Sequence, residues 1–77
     1  MQKQDSVAMV APAAVNINSA SAEQLALALS GIGSAKAAEI VAYRAEHGAF
    51  SSVEELLNIK GIGRKTLERN RYRLVVE

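Results

Sequence analysis

At 77 residues, 8.2 kDa and a net charge of +1, the chain has room for one small domain, because fewer than roughly 100 residues seldom support two cores; a multidomain enzyme is excluded. Its 49% apolar and 22% charged content is globular, unlike that of collagen-like or strongly charged disordered chains. The absence of cysteine removes disulfides and thiolate metal sites. With only 4% aromatic residues, the core must be built from Leu, Ile, Val and Ala, which predicts closely packed helices and an all-α fold.

Residues 1–15 are expected to form a flexible leader, left by trimming or added to the domain, with the domain itself over 16–77. The longest apolar run, Val7 to Val15, is nine residues with Pro12 inside it, against the roughly 20 that a membrane-spanning helix needs. No membrane insertion is expected. Ala11-Pro12-Ala13 resembles a signal cleavage site, but Asp5 offsets Lys3 and the apolar stretch is broken.

A helix start follows at Ser21-Ala22-Glu23-Gln24, where Ser at the N-cap and Gln three residues later make a reciprocal capping box. The helix runs through Leu25 and Leu29 into Gly31-Ile32-Gly33. A second helix is predicted from Ser34 to about His47, with Ala37, Ile40 and Val41 on one face and Gly48 closing it as a left-handed residue. The first hairpin thus covers about 21–47.

After a connector around Gly48-Ala49-Phe50 the pattern recurs. Ser52-Val53-Glu54-Glu55 repeats the capping signal, Leu57 matches Leu27, and Gly61-Ile62-Gly63 matches Gly31-Ile32-Gly33 at an offset of 30. The helix starts lie 31 apart, so the two units differ by one residue between cap and turn. The second hairpin covers about 52–73, with Leu67 as the apolar anchor of its last helix, and Leu74-Val75-Val76 is expected to dock as an extended tail. Neither αα-hairpin buries both faces of its helices alone. Together they should share a core of Leu25, Leu29, Ile32, Ile40, Val41, Phe50, Val53, Leu56, Leu57, Ile59, Ile62 and Leu67.

Charge is uneven along the chain. Residues 1–59 sum to −3, whereas residues 60–73, with Lys60, Arg64, Lys65, Arg69, Arg71 and Arg73 against Glu68, sum to +5. Such a basic end suits a polyanion, or is a solvated helix face. Glycines at alternate positions allow a sharp turn whose amides meet a close ligand, while Ile32 and Ile62 pin each turn to the core. A helix opening immediately afterwards adds unpaired N–H groups, so each corner is a phosphate-sized site. The expected contacts are Gly31, Ile32, Gly33, Ser34, Ala35 and Lys36 in the first copy and Gly61, Ile62, Gly63, Arg64, Lys65 and Thr66 in the second. A single Gly-x-Gly is more often a plain turn; two matched copies fit an anion that repeats along a line. No preceding strand, third glycine or Walker lysine supports a free nucleotide.

At these residues the sequence resembles the tandem helix-hairpin-helix domain of the competence protein ComEA family. The resemblance runs from Val15-Asn16-Ile17-Asn18 through Gly31-Ile32-Gly33-Ser34-Ala35-Lys36-Ala37, Ile40-Val41-Ala42-Tyr43-Arg44 and Gly48-Ala49-Phe50 to Leu57-Asn58-Ile59-Lys60-Gly61-Ile62-Gly63. It implies a small SAM-domain-like helical fold and non-sequence-specific binding of double-stranded DNA through backbone phosphates. It further implies a periplasmic or otherwise extracytoplasmic place in natural transformation, with DNA-uptake machinery as a partner. Hairpin carbonyls of such domains can also hold a monovalent cation. Two departures stand out: Ser30 where the family often has proline, and a first helix too long by one residue.

Catalytic chemistry is poorly provided for. His47 sits near a helix end, Asp5 lies in the leader, and no carboxylate pair or metal-binding spacing occurs. No cofactor, no metal held by side chains and no enzymatic activity are expected. The rivals to a DNA-uptake module are a helical protein-interaction module and a DNA-targeting piece of a repair assembly.

Overall fold

A computed structural model of the chain describes residues 14–77. In chain order the elements are strand β1 (Val15–Asn16), helix α1 (Ala22–Ala28), helix α2 (Gly33–His47), a 3₁₀ helix (Val53–Asn58), helix α3 (Arg64–Asn70), a short 3₁₀ turn (Arg71–Arg73) and strand β2 (Leu74–Val75). The fold is a pair of helical hairpins with little strand, as the composition predicts. All but Ala14 and Val15 of the expected leader lies outside the described residues, and Val15 already belongs to β1 and is buried.

The two units start differently. Ser21 is extended, its hydroxyl accepts the N–H of Gln24 at 3.1 Å, and the Gln24 side chain accepts the N–H of Ser21 at 2.9 Å, so the first capping box forms. The second does not. Ser52 makes no side-chain cap bond, and Glu55 instead accepts the N–H of Ser51 at 2.6 Å. The segment that follows winds as a 3₁₀ helix because one residue fewer separates Ser52 from Gly61 than Ser21 from Gly31. A 3₁₀ helix rises about 2.0 Å per residue against about 1.5 Å for an α-helix, so six residues reach as far as seven or more.

The pairing of Leu27 with Leu57 is corrected on the same ground. Leu27 is 87% exposed while Leu57 is half-buried; the buried equivalents are Leu25 and Leu56, which stand 31 apart. Helix α2 begins one residue before the expected Ser34, at Gly33. It ends at Gly48, whose N–H donates to the Arg44 carbonyl at 2.9 Å. With φ 92° and ψ 178°, Gly48 is in an extended region open essentially to glycine alone, and not in the left-handed helical region expected of it.

The shared core holds Leu25, Leu29, Ile32, Ile40, Phe50, Leu56, Ile59, Ile62 and Leu67, with Val41, Val53 and Leu57 half-buried against it. Val15, Ile17, Ala20, Ala37 and Leu74 complete it. The docked C-terminal tail is a strand: β2 pairs in parallel with β1, Val15 opposite Leu74 and Asn16 opposite Val75. Two asparagines explain why this closure is specific. Asn18 accepts the Phe50 N–H at 2.6 Å and donates to the Phe50 carbonyl at 3.1 Å, fastening the N-terminal segment to the connector. Asn16 accepts the N–H of Asn18 at 2.9 Å and of Glu77 at 3.4 Å, fastening it to the C-terminus.

Candidate nucleic-acid interface

Both Gly-Ile-Gly corners turn their isoleucines inward and their glycines outward. Ile32 and Ile62 are 3% and 4% exposed, whereas Gly31, Gly33, Gly61 and Gly63 are all exposed. The exposure pattern from Gly31 to Ala37 repeats residue for residue from Gly61 to Leu67, so Ser34 and Ala35, like Arg64 and Lys65, are open to solvent and Lys36 and Thr66 are half-buried. Neither α2 nor α3 has a side-chain hydrogen bond at its N-cap. Their first amides are therefore available to an external acceptor.

The backbones of the corners are not identical. In the first, Gly31 and Gly33 have φ of 77° and 68°, with Ile32 between them in the right-handed region, and the chain runs directly into α2. In the second, Gly61 has φ 93°, but Gly63 is extended at φ −104° and ψ −179°, and its carbonyl accepts the Leu67 N–H at 3.0 Å to open α3. Gly63 therefore differs in kind from the others. Any residue can adopt its backbone conformation, and a Cβ there would meet no atom of the chain within 4 Å.

A side chain from the opposite unit lies over each corner. Lys36, expected beside the first turn, lays its stem on the second: a Cβ at Gly61 would stand 3.2 Å from its Cε. In return Arg69 of α3 lies on the first turn, where a Cβ at Gly31 would come within 2.9 Å of its Nη1. Asn70, 3% exposed, fixes this junction by accepting the Ser30 N–H at 2.7 Å and donating to the carbonyls of Ser30 and Thr66, each at 2.9 Å. Sequence reasoning missed Asn70, and counted Arg69 in the basic end without placing it at the first turn. The visible signal was a break in the repeat, because Asn70 stands 30 residues after buried Ile40.

The basic end divides into structural and open charges. Arg71 donates to Glu54 at 2.9 Å and to Glu68 at 2.8 Å and 3.0 Å; these hydrogen bonds pull both carboxyl groups below the usual glutamate range and raise the guanidinium further. Arg73 donates to the Ala28 carbonyl at the end of α1. Among the described residues Lys60, Lys65 and Arg69 are exposed without ion pairs, and Arg64 has only a long 3.5 Å contact with Glu68. The open cations thus gather at the corners.

His47 is exposed in the last turn of α2, its ring 4.4 Å from that of Tyr43. Among the described residues no group of three or more His, Cys, Asp or Glu side chains could hold a metal ion. The Ile59 carbonyl accepts the Ile62 N–H at 3.0 Å as the chain enters the second corner.

Two helical pairs joined at glycine corners on a common core define the helix-hairpin-helix architecture. The chain matches the family model described as the helix-hairpin-helix motif over residues 10–75 and belongs to that family. It is ComEA-like: over 65 residues it is 42% identical to the ComE operon protein 1 of Bacillus subtilis (strain 168), a match covering 84% of this chain and 31% of that protein. It is also 50% identical over 72 residues to an uncharacterized protein of Haemophilus influenzae, covering 88% of this chain and 64% of the relative. A 43% identity over 63 residues links it to the endonuclease/exonuclease/phosphatase family domain-containing protein 1 of Rattus norvegicus, covering 82% of this chain but only 11% of that protein. The chain therefore spans just under two thirds of the first relative and much less of the others.

Proposed function

We propose that the chain binds double-stranded DNA without sequence preference, through backbone phosphates held at the two glycine corners, and receives DNA during natural transformation outside the cytoplasm. The observation that carries this reading is Gly63. Neither backbone conformation nor internal packing requires glycine there, so the space left by the missing Cβ serves a partner that approaches the main chain closely. Exposed amides, inward isoleucines and open cations at both corners support the same partner. In the first hairpin the 15-residue helix α2 brings its dipole to the corner; in the second, Arg64 and Lys65 supply the positive charge.

Such contacts fall on phosphate and not on base edges, so unrelated duplexes should bind alike. The similarity to the ComE operon protein 1 supports the competence setting. The 11% share of the endonuclease/exonuclease/phosphatase family protein fits a binding module and not a catalytic one.

Fluorescence anisotropy with two unrelated duplexes, single-stranded DNA and RNA, at two ionic strengths, tests the reading. Dissociation constants for both duplexes are expected at about 10⁻⁴ to 10⁻⁶ M, weakening with salt by a slope of about −0.9 per phosphate neutralised. Gly63→Asp should fold normally and lose most of the duplex affinity, because its carboxylate occupies the phosphate position. Unchanged binding by that variant, or preference for one sequence, refutes backbone recognition at the corners.

A further inference from the structure

The two corners are unequally supplied with charge by their own units. Arg64 and Lys65 follow the second turn, but Ser34 and Ala35 fill the corresponding places after the first. The cation at the first turn comes from the other half of the repeat. Arg69 sets its guanidinium against the bare Cα of Gly31, so close that a Cβ there would be 2.9 Å from Nη1.

Two further observations set Arg69 apart from its neighbours. Arg71 is held by Glu54 and Glu68, and Arg73 by the Ala28 carbonyl, whereas Arg69 is exposed and makes no hydrogen bond or ion pair among the described residues. The residue beside it in sequence is the buried Asn70, whose bonds to both backbone groups of Ser30 lock α3 against the first turn. The anchor sets the backbone of α3 beside the first turn, within reach of the Arg69 guanidinium. No partner among the described residues accounts for its being there.

We infer that Arg69 is the phosphate-binding cation of the first hairpin, donated across the repeat by the second unit, so that the two corners form one composite site. This rests on the duplex-DNA reading above. A planar guanidinium beside Gly31 can donate two N–H groups to one phosphate, a bidentate geometry that a lysine ammonium does not reproduce. Neither hairpin excised alone would then hold DNA as the pair does, because the first would lose its cation.

The test compares the whole chain with Arg69→Gln and Arg69→Lys, following duplex binding against salt together with urea denaturation. Arg69→Gln should bind roughly tenfold more weakly at low salt, with the salt slope shallower by about 0.9, as expected for one lost charged phosphate contact. Arg69→Lys should restore the slope and only part of the affinity. Denaturation midpoints should match the parent, since Arg69 bonds to none of the described residues. Parental affinity and slope in Arg69→Gln overturn the inference while leaving duplex binding intact, and a lowered midpoint with an unchanged slope overturns it by assigning Arg69 a packing role. Absence of duplex binding by the parent chain overturns both this inference and the reading beneath it.

Discussion

Glycine at the second corner serves two separate purposes, and stability measurements should separate them. Gly61 has φ 93° and lies beneath the stem of Lys36, whereas Gly63 is extended with open space where a Cβ would be. Gly61→Ala should cost about 1–2 kcal/mol for the left-handed backbone alone. Gly63→Ala should be neutral or should stabilise by about 0.4–1 kcal/mol, because alanine restricts the unfolded chain without straining the folded one. Urea denaturation of the two variants checks the contrast. Equal losses would mean that the second corner is strained at both glycines and that Gly63 is there for the fold.

At the scale of elements, the sequence carried the first unit more faithfully than the second. The Ser21–Gln24 box forms because its spacing matches an α-helical turn. The matching pattern at Ser52–Glu55 fails, because the shorter unit winds as a 3₁₀ helix and leaves the Glu55 carboxylate to the Ser51 amide. Capping patterns report a local preference, and the distance to the next fixed corner overrides it. The corners themselves, with Ile32 and Ile62 buried in both, were legible because Gly-Ile-Gly recurs at a fixed offset ahead of a helix. The exchange of side chains between the corners was not, since no periodicity links Lys36 to Gly61 or Arg69 to Gly31.

Within the second unit, Arg71 ties the 3₁₀ helix to α3 through Glu54 and Glu68, and its hydrogen bonds are the main reason that both carboxyl groups titrate below the ordinary value of 4.5. Groups with lowered folded pKa stabilise the fold fully above their unfolded value and lose that contribution as pH falls through the folded one. Melting temperature should therefore decline as the pH is taken from above 4.5 to well below it, and Arg71→Gln should flatten that decline. The groups are exposed, so the effect should be small and should shrink further in high salt. A variant with the parental acid profile would place the acid sensitivity elsewhere in the chain.

For the whole molecule, the ends decide whether two hairpins behave as one body. Leu74-Val75-Val76 read correctly as a docking tail, yet its pairing with Val15–Asn16 could not be read, because two-residue strands carry no alternation to detect. Asn16 and Asn18 were legible only as part of a family pattern; their physical task is to bond the β1 segment to Phe50 and Glu77. Removing residues 74–77 deletes the buried Leu74 and the strand partner of Val15, a loss of about 2–4 kcal/mol from burial and hydrogen bonding. Asn18→Ala leaves the Phe50 N–H without its partner and should cost about 1–3 kcal/mol. Both changes open the same seam, since Asn18 also reaches the Glu77 carbonyl at 3.4 Å. Combined in one chain, they should destabilise by less than the sum of the single losses, with a shortfall above about 0.5 kcal/mol in urea denaturation. Strict additivity would mean that the N-terminal segment and the C-terminal strand are held independently, and that the connector at Phe50, not the seam, joins the two hairpins.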